Sequence, residues 1–319
     1  MSVFKMIPIG FLVLFMAGCG GPTQATLQNT PDLTEETVDS STATSSPSTP
    51  AATAQPTAVS ELTKESVKNA EYRLNAANTS DIVQFSDGKY ETGSGADYVS
   101  VSLAEPVLFV DLNRDQVKDA VTIAGENYGG TGVFTYLVVF INEDGKPVHS
   151  YSKLIDDRPI INALKLDKES ILLDAVIHGS QDAMCCPTFP IVRLYRLTKS
   201  GLTSIREVSK TSDGAERSIT IVSPVNGDEV SGSVNVKGTV TIAPFENNLV
   251  YTIFDDLGNE LVKGPFPVNA EELGGPGTFD NPIDLSSIPS GSIITLEISD
   301  MSMLDGSTLA MDSVELTVK

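Results

Sequence analysis

The feature that most constrains this chain is a series of short segments rich in Val, Ile, Leu, Phe and Tyr, separated by turn residues, from residue 81 onward. Segments of this length and composition, bounded by Gly, Asp and Asn, are typical of β-strands. The pattern therefore predicts a mainly β protein. In the first half the predicted strands are 81–85, 106–111, 120–124, 133–141, 148–154, 160–166, 171–177, 191–197 and 203–208.

Two local patterns add detail to the first half. Residues 61–72 combine helix-forming residues with alternating charge, and Thr63 followed by Ser66 is a capping pattern, so one short helix is predicted. The run Asn142-Glu143-Asp144-Gly145 predicts a hairpin, because Gly145 adopts a positive φ without steric cost. Residues 61–209 are therefore interpreted as a β-rich (α+β) domain of unknown function.

A second domain is predicted at 218–319. Residues 210–217 are polar, contain Gly and lack an apolar anchor, which indicates a linker between domains. About seven strands over the next hundred residues favour an immunoglobulin-like β-sandwich, although its Cys and Trp core residues are missing. The predicted strands are 219–222, 234–240, 249–254, 260–263, 277–285, 293–299 and 313–318.

Six short motifs follow one another along this second domain: Ile221-Val222-Ser223-Pro224, Val234-Asn235-Val236-Lys237-Gly238-Thr239, Phe245-Glu246-Asn247-Asn248, Phe254-Asp255-Asp256-Leu257-Gly258, Gly277-Thr278-Phe279 and Ser302-Met303-Leu304-Asp305-Gly306-Ser307. Together they resemble the Gmad2 family, an immunoglobulin-like module of bacterial spore-germination and other surface proteins. The resemblance implies a binding or packing module that brings no catalytic residues.

The first domain contains five short motifs: Leu74-Asn75-Ala76, Asp87-Gly88-Lys89-Tyr90-Glu91, Asp111-Leu112-Asn113, Gly129-Gly130-Thr131-Gly132 and Met184-Cys185-Cys186-Pro187-Thr188. With these motifs the domain, over roughly residues 65–205, is similar to an uncharacterised unit of exported bacterial proteins. That resemblance implies no activity.

The N-terminus has the layout of an export signal: one basic residue, Lys5, an apolar stretch at 6–17, and then small residues. The stretch is shorter than the roughly 20 residues of a membrane-spanning helix. The run Met16-Ala17-Gly18-Cys19 resembles the lipobox of bacterial lipoproteins. This implies a signal peptide at 1–18 and a lipid on Cys19, which would anchor the chain outside the cytoplasm, in the cell membrane or outer membrane. The alternative is an ordinary signal peptide with an incidental cysteine.

Residues 19–60 consist mainly of Ser, Thr, Ala, Pro and Gln, with almost no large apolar residue. Such a segment buries too little surface to offset its ordering entropy, so we predict a disordered linker. A random coil of about 40 residues spans on the order of 35 Å. The linker would therefore act as a stalk between the membrane and the folded domains.

Composition excludes some partners. A net charge of -21 argues against nucleic acid and against electrostatic binding to anionic lipids. Only His149 and His178 are available for histidine chemistry. Residues 219–319 are especially acidic, which favours a solvated surface; the alternative is a surface that binds divalent ions or a basic partner.

One loop has the spacing of a calcium site. Asp111, Asn113, Asp115 and Asp119 occupy positions 1, 3, 5 and 9, as in loops that wrap a hard cation with oxygen ligands. Gln116 stands where such loops place Gly, and Thr122 where they place Glu. The alternative is a polar hairpin loop whose side chains bond their own backbone. Calcium is the one cofactor that the sequence suggests.

The adjacent Cys185 and Cys186 leave three interpretations open. With Cys19 lipidated, a disulfide between these neighbours is the one intrachain bridge left, and a trans peptide brings their Cα atoms to about 3.8 Å, closer than in most disulfides. Such a ring would be strained and comparatively easy to reduce. The other interpretations are free buried thiols, and redox or metal chemistry involving His178 and Asp182.

Two further motifs give no catalytic prediction. His178, Ser180 and Asp182 are neighbours in sequence, but adjacency does not build a hydrolase triad, and no Gly-x-Ser-x-Gly motif is present. The Gly-rich stretch 125–132 lacks a phosphate-loop Lys and leads into a strand, so it is interpreted as a turn.

The sequence therefore predicts a lipid-anchored extracytoplasmic protein that acts as a non-catalytic binding or scaffolding module. Its partner would be an envelope protein or glycan. The alternative is an envelope enzyme or thiol-redox protein that uses the Cys185/Cys186 loop.

Overall fold

The computed structural model describes residues 60–75 and 81–319, and β-strands dominate this part of the chain. The mainly β prediction is confirmed. The predicted signal peptide, the lipidation site Cys19 and the predicted linker up to residue 59 lie outside the described residues. Within the described ranges, no helix has the length and apolar character needed to cross a membrane.

The first described element is the short helix α1 (Lys64–Lys68). Thr63 caps it: the Thr63 Oγ1 accepts from the Ser66 N–H, and the Ser66 Oγ accepts from the Thr63 N–H, both at 3.0 Å. This reciprocal capping box satisfies two backbone donors that the helix itself leaves unpaired. The single buried residue of the helix, Val67, attaches it to the β-sheet beneath.

Seven strands form the first sheet, in the order β2-β1-β7-β6-β5-β4-β3. The two central strands, β5 and β6, have nearly continuous runs of buried residues because both faces of the sheet are covered. The strands are β1 (Glu71–Arg73), β2 (Ile82–Gln84), β3 (Lys89–Thr92), β4 (Val99–Val110), β5 (Asp119–Asn127), β6 (Phe134–Glu143) and β7 (Lys146–Asp157).

The predicted hairpin at residues 142–145 joins β6 to β7. Both of its central residues have positive φ, 53° at Asp144 and 84° at Gly145. Positive φ at both positions gives the turn a twist that matches the flanking strands.

Four strands that follow pack on one face of this sheet. They are β8 (Ile160–Asp167), β9 (Ser170–Ile177), β10 (Phe189–Thr198) and β11 (Gly201–Lys210). Leu137 and Val139 of the first sheet share a core with Leu173 and Ile191 of the second. The opposite face of the first sheet forms another core, which includes Tyr72.

Residues 210–217, predicted as a linker, form a tight hairpin instead. The strand β12 (Glu216–Arg217) pairs back onto the end of β11, with Ser209 opposite Arg217. The Thr211 N–H donates to the Ala215 carbonyl at 2.9 Å and closes the turn. Polar turn composition is the same in a linker and in a hairpin, which is why the sequence did not separate them.

The remaining residues form the predicted immunoglobulin-like sandwich. One sheet has the order β13-β15-β19-β18 and the other β17-β16-β20-β21, with β14 parallel to β21. Phe266 and Phe279 pack edge to face in the core, 5.3 Å between ring centroids. The strands are β13 (Ile219–Ser223), β14 (Glu229–Val230), β15 (Ser233–Val240), β16 (Asn248–Asp255), β17 (Glu260–Pro267), β18 (Asn269–Ala270), β19 (Gly277–Asp284), β20 (Ile293–Met301) and β21 (Thr308–Val318).

The two halves share one sheet. Strand β21 of the sandwich pairs antiparallel with β11, with Arg206 opposite Asp312 and Glu207 opposite Met311. The ten-stranded sheet that results contains β8 to β12, β14, β16, β17, β20 and β21. The hydrophobic cores on the two sides of this β11–β21 seam remain separate.

Candidate functional site

The predicted calcium loop connects β4 to β5, and its side chains bond the loop's own backbone. The two carboxylate oxygens of Asp111 accept from the N–H groups of Asp115 and Gln116, at 3.1 and 2.9 Å. The Asn113 Nδ2 donates to the Asp115 carboxylate at 2.9 Å, and the other oxygen of Asp115 accepts from the Val117 N–H. These contacts are those of the polar-loop alternative.

Asp119, the fourth proposed ligand, is fully buried. Its carboxylate accepts from the N–H groups of Leu112 at 2.9 Å and Asn142 at 3.0 Å, and burial raises its pKa despite these bonds. Across residues 60–75 and 81–319, no group of three or more His, Cys, Asp or Glu side chains is arranged to hold a metal ion. Asp119 therefore clamps the loop to the start of the next hairpin, and the calcium site at Asp111, Asn113, Asp115 and Asp119 stays a prediction.

The loop between β9 and β10 carries Cys185 and Cys186. Their Sγ atoms are bonded to each other, their Cα atoms are 3.8 Å apart, and both residues are exposed. The guanidinium of Arg158 donates to the Met184 carbonyl at 2.6 Å, and this hydrogen bond holds the loop against the segment that follows β7. The disulfide therefore lies at an accessible surface, on a loop held in place by its neighbours.

His178 and Asp182, at the base of this loop, both have other partners. The Nδ1 of His178 lies 2.8 Å from the Asp156 carboxylate, and this hydrogen bond raises the pKa of His178. The Asp182 carboxylate accepts from the N–H groups of Gly179 and Thr188. This arrangement contains neither a Ser-His-Asp triad nor a metal site with the two cysteines.

The Gly-rich stretch after β5 is a turn held by Asn127. The Asn127 Nδ2 donates to the carbonyls of Gly130 at 2.9 Å and Gly132 at 2.6 Å. Both amide hydrogens serve the turn itself, and the chain then enters β6.

A buried carboxylate that the sequence did not single out lies at Glu126. It is 0 % exposed and accepts from the Tyr72 hydroxyl at 2.6 Å, the Asn75 Nδ2 at 2.7 Å and the Tyr128 hydroxyl. Burial and the Glu126 charge raise the pKa of Tyr72. These donors satisfy the carboxylate, so Glu126 ties β1 to β5 within the core.

A cleft lies where the two halves meet. The pairing of β11 with β21 is limited to two residue pairs at the seam. Beyond these pairs a cleft of 570 Å³ opens beside the two strands. Its far end is bridged by two turns: Lys199 Nζ lies 2.6 Å from Asp256 Oδ2, and Ser200 packs against Gly258. A cleft of this size falls in the usual range for small-molecule sites, about 300–1,000 Å³.

The comparisons with known proteins identify the domain that forms one wall of this cleft. Residues 218–307 match a family model, Gmad2, described as the immunoglobulin-like domain of bacterial spore germination. The C-terminal sandwich is a Gmad2 domain. The comparisons with curated proteins and with solved structures give no match. The Gmad2 wall of the cleft includes Phe254, Thr295 and Glu297, whereas Glu315 lies just beyond the matched residues.

Paired residues line each side of the cleft. On the side of the first domain, Arg196 of β10 is opposite Thr203 of β11. On the Gmad2 side, Thr295 of β20 is opposite both Glu315 of β21 and Phe254 of β16. The pairing between the two sides is limited to the seam, where Arg206 is opposite Asp312 and Glu207 is opposite Met311.

Apart from the Lys199–Asp256 ion pair at its far end, the cleft has charged side chains that are not paired across it. Within the described residues, no ion pair joins Arg196, Glu297 or Glu315 to a side chain of opposite charge. Burial raises the pKa of Glu297, and the nearby Ser299 hydroxyl and Lys263 partly offset that effect. The sequence did not predict this site because its residues come from six strands and several turns, and the register between β11 and β21 is not readable from local patterns.

Proposed function

We propose that this protein is a membrane-anchored, extracytoplasmic lipoprotein that acts as a non-catalytic binding module at the cell envelope. It would hold its ligand in the cleft between the first domain and the Gmad2 domain. The single observation that carries the proposal is this cleft, which has unpaired charges of both signs and is built by strands from both halves. The spore-germination description of Gmad2 is compatible with a role at an envelope.

The anchor is tested separately from the cleft. Mass spectrometry of the protein from membranes should show a mature N-terminus at Cys19 carrying fatty acyl groups. Cys19→Ala should release the protein from the membrane fraction. An uncleaved leader, or a mature chain without acyl mass, would remove the lipoprotein part of the proposal and leave the cleft part standing.

The cleft is tested by site-specific photocrosslinking in intact cells. A photoreactive phenylalanine at Thr295, inside the cleft, should capture a defined envelope component. The same residue at Lys165, which is exposed on β8 and outside the cleft, is the matched control. Equal crosslinking at both positions, or none at Thr295, would contradict ligand binding in the cleft.

A second candidate function is thiol–disulfide exchange at Cys185 and Cys186. The observation that favours it is the exposure of both bonded cysteines. An external protein thiolate would attack one Sγ, form a mixed disulfide with it and release the other Sγ as a thiolate, so no further oxidant or reductant is required. Thiol titration of the folded protein in mild reductant tests this role. A pair that stays oxidised while the fold is intact would exclude it.

A further inference from the structure

The loops at one end of the Gmad2 sandwich expose large apolar side chains to solvent. Of the five most exposed such side chains in the described part of the chain, four lie in these loops, and the fifth is Met184 of the first domain. The four are Phe245 at 64 %, Leu273 at 87 %, Met303 at 77 % and Leu304 at 67 % exposed. Single exposed apolar residues are ordinary on a protein surface, whereas a group of them at one place marks an interaction site.

Backbone contacts place the three loops at the same end of the sandwich. The loop from β15 to β16 meets the loop from β18 to β19, because the Ala243 N–H donates to the Gly275 carbonyl at 2.7 Å. The turn from β20 to β21 lies beside the start of β16, because β16 and β20 are antiparallel with Val250 opposite Ser299. The three loops, called the loop end below, are residues 241–247, 271–276 and 302–307.

The loop end is separate from the cleft. The cleft residues Phe254 and Ile293 lie at the other end of the same strands, because Phe254 is near the end of β16 and Ile293 begins β20. No residue of the loop end is among those that line the cleft.

Phe245 is presented by a turn that its own backbone holds in place. Glu246 and Asn247 both have positive φ, 55° and 52°. The Asn247 N–H donates to the Pro244 carbonyl at 3.0 Å, and the Asn247 carbonyl accepts from the Val268 N–H at 2.8 Å. A left-handed backbone is costly for residues other than Gly, and such costs cluster at binding sites. A partner meets a turn that is already formed, which lowers the ordering cost of binding.

The loop end is acidic and has no basic residue. Its three loops contain Glu246, Glu271, Glu272 and Asp305, and no Lys, Arg or His. Within the described residues, none of these four carboxylates takes part in an ion pair. Asp305 also holds its own turn, where it accepts from the Ser307 N–H at 3.1 Å. Carboxylates without a cation beside exposed apolar side chains complement a surface that has both basic and apolar groups.

This charge separates the three classes of occupant. An anionic lipid surface attracts basic groups and repels the four carboxylates. A second copy of this chain has the same acidic loops and a net charge of -21, so like charges would meet. A protein segment that combines Lys or Arg with apolar residues gains attraction from the carboxylates and also covers the apolar side chains.

We propose that the loop end of the Gmad2 domain is a docking surface for a basic, amphipathic segment of a partner protein. The apolar residues of that segment pack on Phe245 and Leu273 and on the neighbouring Met303 and Leu304, and its Lys or Arg side chains pair with the carboxylates around them. The inference goes beyond the proposed function, because it does not involve the cleft.

The first test uses the unmodified full-length protein and three synthetic peptides of equal length, titrated by calorimetry. One peptide is built from Lys and Leu, one from Lys and Ser, and one from Glu and Leu. The Lys/Leu peptide should bind about tenfold more tightly than either of the others, because only this peptide matches both the charge and the apolar side chains. Equal affinity for the Lys/Leu and Lys/Ser peptides, or no binding of the Lys/Leu peptide, would overturn the proposal.

The second test removes one apolar side chain. Phe245→Ser should weaken the Lys/Leu peptide about tenfold, since exposed aromatic anchors contribute much of the affinity of an interface. Leu257→Ser is the matched control: Leu257 is 59 % exposed in the turn from β16 to β17, at the other end of the sandwich. Thermal melting checks the folding of both variants. Equal affinities for the two variants would contradict the assignment of this surface.

The third test removes charge. Glu271→Gln combined with Glu272→Gln should weaken the Lys/Leu peptide and make its affinity less sensitive to salt, because screening acts on the charge attraction. Glu143→Gln combined with Asp144→Asn removes two exposed carboxylates from the first domain and is the charge-matched control. A loss of affinity that is the same in both double variants would reflect the net charge of the chain and would count against a specific surface.

The last measurements test the two other occupants. The unmodified protein and Phe245→Ser should bind to the same extent to vesicles of phosphatidylcholine, with or without phosphatidylglycerol, and should sediment alike. Vesicle binding that Phe245→Ser abolishes would assign the loop end to a membrane surface, and an oligomer that this variant dissociates would assign it to a second copy. Either result would overturn the proposal. Crosslinking at Thr295 reports on the cleft alone, so failure of one proposal is distinguishable from failure of the other.

Discussion

At the scale of single residues, the two histidines are in opposite electrostatic environments. His149 stacks on Tyr72, 4.3 Å between ring centroids, and its Nδ1 accepts from the Arg73 N–H. Burial lowers the pKa of His149 to about 4. His178 instead gains the Asp156 carboxylate as a partner, which raises its pKa. The chain contains no other histidine, so the two proton NMR titrations should move away from 6.5 in opposite directions.

The two shifts predict opposite effects of pH on stability. Between pH 6.5 and about 4 the unfolded chain protonates His149 while the folded chain does not, so this stability contribution is lost as the pH falls. The loss should reach about 3 kcal/mol. The contribution of His178 is complete below pH 6.5 and is lost as the pH rises through its folded pKa.

Urea unfolding between pH 7 and pH 4 measures the His149 effect. His149→Asn keeps an acceptor near the Arg73 N–H but does not titrate, so its stability should fall less than that of the unmodified protein over this range. His178→Gln is the control and should not reduce the loss at low pH. Identical pH profiles for the His149→Asn variant and the unmodified protein would contradict the assignment.

At the scale of structural elements, the loop from Asp111 to Asp119 shows what spacing alone leaves undecided. Oxygen side chains at positions 1, 3, 5 and 9 suit both a calcium loop and a loop that bonds its own backbone. Only the three-dimensional contacts separate them. Asp119 is buried and accepts from the N–H groups of Leu112 and Asn142, which favours a loop that holds its own shape without a cation.

We therefore expect the melting temperature to be the same with a chelator and with about 1 mM calcium, a level that occupies extracellular calcium modules. Asp119→Asn should lower stability by about 2 kcal/mol in either condition, because one acceptor of buried N–H groups is lost. A calcium-dependent rise in the melting temperature that disappears in Asp119→Asn would restore the calcium interpretation.

The Gmad2 sandwich depends on a glycine in its four-stranded sheet. Gly238 of β15 lies between the Thr220 carbonyl and the ring of Phe279, and an added Cβ would lie 2.1 Å from Thr220 O and 2.3 Å from Phe279 Cζ. Gly238→Ala should cost about 3 kcal/mol, because the neighbouring backbone cannot move away. Gly130→Ala, where the nearest heavy atom would be 4.0 Å away, is the control and should leave the unfolding midpoint unchanged. Equal midpoints for the two variants would contradict this packing.

The long strands were predictable because composition and period follow directly from burial on one or both faces of a sheet. The short strands β1, β3, β12, β14 and β18 were not, because partner strands hold them and their own composition does not. The same reason hides the cleft: Arg196 and Glu297 are about a hundred residues apart, and only the seam brings them to one surface.

At the scale of the whole molecule, the β11–β21 seam decides whether the two domains behave as one body. Only two residue pairs register across it. Side chains add to them: the Ser209 Oγ donates to the Leu309 carbonyl at 2.6 Å, and the Ser313 Oγ donates to the Ile205 carbonyl at 2.8 Å. The Arg217 guanidinium lies 2.5 Å from the buried Asp300 carboxylate. Because the seam is short and includes a buried ion pair, the coupling between the two domains should depend strongly on Arg217.

Arg217→Ala leaves the Asp300 carboxylate buried without its cation, which should cost about 3–5 kcal/mol. This loss of stability weakens the seam, whereas each domain keeps its own hydrophobic core. Scanning calorimetry should therefore show one transition for the unmodified protein and two for Arg217→Ala. Lys237→Ala breaks an exposed pair with Asp280 in the same Gmad2 domain and should cost less than about 1 kcal/mol without dividing the transition. Two transitions already present in the unmodified protein would show that the domains unfold independently, and the cleft would then lie between two separately moving parts.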